Sequence, residues 1–200
     1  MRYKVVTPPD CEPVSLADAK THIRLTSDAI TGDLVEDALV QNLIEAAREY
    51  CENYAGVALA EQTVEAHLDG FPRCSSIELP LPPLRSVDSV KYKDSTGAVV
   101  TLTEGEDYLV DTDSAIGRIV TPYGKSWPQF TPWPINPVTI CYTAGYTAAP
   151  KTIRQAMLLL VGHWYANREA TDLTPGTRAL EGEIEFATKA LMSMYRVRWM

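Results

Sequence analysis

Chemistry in this 200-residue chain would need carboxylates, histidines or thiols placed to act together. The densest such group is Asp107, Asp111 and Asp113. Paired carboxylates can divide acid and base roles when their surroundings push their pKa values apart. These three flank a strand and a turn, where Asp is locally favoured, with no basic or glycine-rich partner close in sequence. They read as solvated turn acids. His22, His67 and His163, with Cys11, Cys51, Cys74 and Cys141, are scattered, without a C-x-x-C pair or metal-ligand spacing. Cys51 on a helical apolar face and Cys141 in an apolar strand read as small hydrophobes. There is no G-x-S-x-G, no H-E-x-x-H, no glycine-rich phosphate loop and no dinucleotide fingerprint. The sequence therefore nominates no catalytic, cofactor-binding or metal-binding residue, and the expectation is a non-enzyme without cofactors. Trp127 and Trp133 remain, as platforms for sugars or bases or as contacts between subunits.

Composition narrows the class further. A net charge of −8 argues against gripping nucleic-acid phosphates, because that affinity comes from clustered Lys and Arg. It does not exclude DNA passing by without being held. No stretch has the apolar length of a membrane span, and MRYKVVTPPD shows no apolar signal region, which predicts synthesis in the cytosol and no membrane partner.

The elements that would position any contact residues follow from periodicity. Residues 1–14 read as an extended lead-in. Ser15-Leu16-Ala17-Asp18 resembles a capping box opening a short helix to about Ile23. A second helix is predicted from Asp33 to Tyr54, with Gly56 ending it and Leu34, Ala38, Leu39, Ile44, Ala47, Tyr50, Cys51 and Tyr54 as its buried stripe. Its Glu45/Arg48 and Arg48/Glu52 pairs read as a solvated face. From Ala58 the period becomes twofold, and seven short strands separated by turn signals predict an antiparallel sandwich or barrel. The Tyr123–Pro137 segment is too proline-rich for a strand and reads as an ordered loop. Pro150 to Arg168, opened by Pro150 and Thr152, has Ile153, Ala156, Met157, Leu160, Val161, Trp164 and Tyr165 at helical spacing. Leu158, Leu159 and His163 widen that face, which makes it the central helix. A linker, Thr171 to Thr177, precedes a last helix from about Glu181 to Arg196 and a basic, aromatic end. The fold class is therefore α+β: a helical domain from both chain ends, residues 1–56 and 148–200, interrupted by an inserted β domain, residues 57–147.

Several segments, in order, resemble the adaptor or head-tail connector proteins of tailed double-stranded DNA bacteriophages. They are PVSLADAKTHIRL (Pro13–Leu25), LVQNLIEAAREYCENYAGVAL (Leu39–Leu59), LPLPPLRSVDSVKYKDSTG (Leu79–Gly97), DYLVDTDSAIGRIV (Asp107–Val120) and VTICYTAGYTAAPKTIRQAMLLLVGHWYANREA (Val138–Ala170). The family's closing Tyr-Arg-Val corresponds to Tyr195-Arg196-Val197.

The resemblance implies a ring of about a dozen copies beneath the portal protein, a dodecamer in the usual case. Its other side would meet a head-closure (stopper) or tail-terminator protein, and DNA would pass through the channel without sequence-specific binding. The place implied is the virion neck, reached from the host cytoplasm during assembly. Within that frame Arg196, Arg198 and Trp199 are the expected portal-docking residues, since Arg and Trp carry disproportionate interface energy. Arg154, Arg168, Trp164 and Tyr165 are the expected subunit interface, the two arginines pairing with acids of a neighbour. A carbohydrate- or surface-binding module built on the β domain and its Trp loop is the alternative expectation.

Overall fold

The structure, a computed structural model, describes residues 1–25, 33–167 and 187–197. Its elements are β1 (Arg2–Thr7), α1 (Leu16–His22), α2 (Asp33–Ala55), β2 (Gln62–Leu68), β3 (Ser76–Glu78) and β4 (Leu84–Lys93). There follow β5 (Val99–Leu102), β6 (Leu109–Asp111), β7 (Arg118–Val120), β8 (Val138–Ala144) and α3 (Lys151–Ala166). A further helical segment, α4, covers residues 187–193. The class is α+β with antiparallel sheets. The chain forms two compact units, Met1–Asp10 with Ala60–Thr147, and Cys11–Leu59 with Ala148–Met200. Residues 1–10, expected in the helical part, thus belong to the β unit. The reason is β1: Arg2–Val5 pair antiparallel with Val64–His67.

The β unit holds a five-stranded sheet, order β1-β2-β8-β4-β5, and a three-stranded one, order β3-β7-β6. Twofold alternation decides what is inside. Along β8, Val138, Ile140, Tyr142 and Ala144 are buried while the residues between them are half-buried. Across from them Val64 and Ala66 of β2 and Val90 of β4 are fully buried. Tyr142 brings a hydroxyl into this core, and it donates to the Pro80 carbonyl at 2.7 Å. Burial first, with the Tyr3 phenol nearby, pushes its pKa up, so it serves as a neutral donor. Gly145 follows β8 at φ +116°, and a Cβ there would land on the Ala60 carbonyl. Glycine is required by both conformation and space.

In the helical unit, Ser15 caps α1 as its sequence signalled, its side chain accepting from Asp18 N at 3.1 Å. Thr152 does not cap α3, whose N-cap is Pro150 with no side-chain cap bond. Ile153, Ala156, Met157, Leu160 and Val161 are buried along α3 as the spacing predicts. The buried stripe of α2 is rotated from the expected one: Val40, Ile44, Ala47, Cys51 and Ala55 are fully buried, whereas Ala38 is exposed and Leu39, Tyr50 and Tyr54 are half-buried. The rotation takes Arg48 into the interior with it.

Candidate functional site

Arg48 is 7% exposed. Its Nε donates to both carboxylate oxygens of Glu12 at 3.1 and 3.0 Å, and its Nη1 to Glu52 Oε2 at 2.8 Å. The other Glu52 oxygen accepts the Leu59 N–H at 2.8 Å. A pair expected on a solvated face is therefore a buried triad, and Glu12 is the partner that local sequence could not supply. Burial pulls the Arg48 pKa down, but the fields of Glu52 and Glu12 outweigh it and the net direction is up. Burial dominates at Glu52, whose pKa is raised despite the Leu59 N–H and Arg48. Cys51 beside it is pushed up to about 12, by burial and then by Glu52, so it stays a thiol. The triad is a structural clasp, tying the Glu12 segment and the Leu59 end to the middle of α2.

The expected interface residues lie on the same unit. Arg154 donates from Nη2 to Asp18 Oδ2 of its own chain at 2.7 Å, both side chains remaining exposed. Trp164 meets Tyr50 edge-on at 6.1 Å. The Tyr165 hydroxyl donates to Glu36 at 3.4 Å. Both rings are half-buried. Helix α2 has no basic residue in its last turn. Arg196 supplies one, its guanidinium 5.5 Å from the Tyr54 ring centre. The Val197 N–H satisfies the Ala55 carbonyl at 2.9 Å, one of the orphan acceptors of the helix end. Arg168, Arg198, Trp199, the Thr171–Thr177 linker and the start of the last helix lie outside the described residues.

In the β unit both tryptophans of the proline-rich loop are used internally. Trp127 is 6% exposed, stacks on Phe71 at 5.0 Å with 3° between planes, and donates its Nε1–H to the Cys74 carbonyl at 3.0 Å. Trp133 carries the Lys93 ammonium 4.1 Å from its ring centre. The Trp127 indole, stacked and buried, presents no open face to a sugar. A cavity of about 770 Å³ lies beside this loop, bordered by Phe71, Arg73, Cys74, Lys125, Trp127 and Phe130. Its lining contains no carboxylate and no histidine; its titratable side chains are Arg73, Cys74 and Lys125. Of the Asp107/Asp111/Asp113 group, Asp107 and Asp111 are turn acceptors, and Asp113 gives its backbone N–H to Asp111 Oδ1 at 3.2 Å. Asp107 takes the Thr103 N–H at 2.9 Å. Asp111 takes the Ser114 hydroxyl at 2.7 Å and Arg118 Nε at 2.8 Å. Arg118 is the basic partner the sequence did not show: β6 and β7 pair antiparallel and bring the two opposite each other. The Ser114 and Arg118 bonds lower the Asp111 pKa to about 2, which leaves it ionised at neutral pH. Among the described residues no group of His, Cys, Asp and Glu is placed to hold a metal, and no helix is long and apolar enough to cross a membrane.

Comparison with known proteins shows which family these contacts belong to. The model of the head completion protein family matches residues 26–195. The chain belongs to the head completion protein family. Its role is structural, that of a head-tail connector. No curated protein matches the sequence. Among solved structures it is similar to a chain in the neck of an empty GTA particle computed with C6 symmetry, at 24% identity and TM-score 0.78. It is also similar to one in the virion of a native gene transfer agent (GTA) particle, at 24% and 0.77. A third is in the neck of a native GTA particle computed with C12 symmetry, at 22% and 0.75. In each case the match covers 100% of this chain and 98% of the other. The family membership accords with the ordered segments by which the sequence resembles phage connectors.

Proposed function

We propose that this head completion protein is a non-enzymatic adaptor that forms a dodecameric ring under the portal protein of a tailed, phage-like particle. The ring links the DNA-filled head to the tail, through a head-closure or tail-terminator protein, and leaves a channel for DNA. It works in the virion neck after synthesis in the host cytoplasm. The observation that carries the reading is the family match across residues 26–195. A fold shared over its full length with chains of GTA particle necks, one treated with C12 symmetry, supports the ring. The net charge of −8 suits a wall past which DNA slides by repulsion.

Portal docking is assigned to Arg196, Arg198 and Trp199. The bond from Val197 to Ala55 anchors the chain directly before the last two of these. Arg154, Arg168, Trp164 and Tyr165 are assigned to the contact with a neighbouring copy, Arg154 pairing with Asp18 of its own chain as well. Truncation after Val197, which spares the contacts of Arg196 and Val197 with the end of α2, tests the docking assignment. The truncated chain should fold and fail to join portal-bearing heads, whereas undiminished joining would refute it.

A further inference from the structure

The five-stranded sheet ends in two open edges, β1 and β5. An open edge is a row of unpaired backbone N–H and C=O groups, which stable monomers blunt with charge, proline, shortness or cover. All six residues of β1 are exposed. Tyr3 and Val5 lie on the core face, in register with the fully buried Ala66 and Val64, yet they are 49% and 37% exposed. The far edge repeats the pattern. Leu102 and Val100 of β5 oppose Val90 and Tyr92 on that same face, and Val100 is 39% exposed. Val99, on the outer face of β5, is exposed too, as is Val6 at the register shift between Val5 and Thr7. The apolar row of the core face therefore runs out into solvent at both ends of one sheet.

Direction decides what can cover these ends. Every neighbouring pair in the order β1-β2-β8-β4-β5 is antiparallel, so β1 and β5 point the same way. A copy rotated about an axis, without inversion, can lay its β5 alongside β1 of the next copy as a parallel pair. That contact is head-to-tail, the kind that closes into rings. A register that keeps core-facing residues on one face puts Tyr3 beside Val100 and Val5 beside Leu102. Arg2 and Lys4 then fall beside Val99 and Thr101, so no like charges are opposed.

We propose that β5 of one copy pairs with β1 of the next, continuing the sheet across the subunit boundary. This rests on the ring reading above. Parallel pairing is the weaker kind, and β5 offers four residues. The contact is therefore weak between free chains and forms at the high local concentration inside a ring.

The test uses the full chain with Cys11, Cys74 and Cys141 replaced by Ser and with Tyr3→Cys and Val100→Cys introduced. It is added to heads lacking this protein and treated with a short bis-maleimide. A covalent ladder of multimers is expected only when both new thiols are present. Incorporation at the normal copy number without a ladder would overturn the pairing and leave the ring intact. Failure of even the unaltered chain to incorporate as a multimer would remove the ring reading and the pairing with it. As a second measurement, Val5→Lys and Val100→Lys, made separately, should each lower incorporation about tenfold without changing the melting of the free chain. Unchanged incorporation of both would also overturn the pairing.

Discussion

Replacing Arg48 with Met leaves a side chain of similar reach without its charge, and the cost follows from what remains. The Arg48, Glu12 and Glu52 side chains are 9%, 15% and 12% exposed. Without the guanidinium, two carboxylates face each other with little water. Breaking a buried ion pair by removing one partner costs about 3–5 kcal/mol, chiefly from the charge left behind. For a chain of 200 residues each kcal/mol moves the melting temperature by about 2–4 °C, so the variant should melt roughly 6–20 °C lower. The deficit should depend on pH. The Glu52 pKa is already raised by burial, and losing Arg48 raises it further. A carboxyl whose folded pKa lies above its unfolded value favours the fold at low pH, and that contribution is lost as pH rises through the folded pKa. The gap between wild type and Arg48→Met should therefore narrow on going from pH 8 to pH 5. Adding Glu12→Gln and Glu52→Gln should recover most of the loss, since no charge is then stranded. Calorimetry across that pH range, with urea unfolding as a check, measures all of this. A loss below about 1 kcal/mol, the scale of an exposed pair, or a gap independent of pH would refute the clasp.

Other consequences are as specific. Asp111 should titrate with a midpoint near 2, because the Ser114 hydroxyl and then Arg118 hold it ionised. Its bonds favour the fold above the ordinary carboxylate range and are lost as pH falls toward 2. An NMR titration of its carboxyl checks this, and a midpoint near 4 would contradict it. Tyr142→Phe should cost about 1–3 kcal/mol by leaving the Pro80 carbonyl unpaired in the core, read from urea unfolding. Trp127→Ala should cost about 3–5 kcal/mol through the lost stack on Phe71 and the lost bond to Cys74. A near-neutral result would mean that the loop is not packed as described. Gly145→Ala should prevent soluble expression, since its Cβ meets backbone and φ is +116°.

Much of the fold was legible because local periodicity and burial agree. The seven strands from β2 to β8 and the helices α1, α2 and α3 follow the alternations and helical spacings written in the chain, and Ser15 caps where its position says it should. Partners brought by topology were not legible. β1 reads as a lead-in because PP follows it and its six residues carry no buried face; only pairing with β2, sixty residues on, makes it a strand. Arg48 looked solvated because charge predicts exposure unless a distant acid is known, and Glu12 lies thirty-six residues away. Asp111 and Arg118 sit seven apart with a turn between them, and the β6–β7 hairpin supplies the contact. Trp127 could be read as a platform or a subunit contact because composition cannot tell an exposed ring from one stacked on Phe71. The ordered connector segments could be read because they are matters of succession along the chain, which needs no third dimension.

The most direct test of the adaptor ring is electron microscopy of heads produced without this protein, before and after the purified chain is added back. The account predicts DNA-leaking heads that do not join tails. On addition, a ring of twelve copies should appear beneath the portal and tail joining should return. Tail-bearing, genome-retaining particles assembled in its complete absence would contradict it.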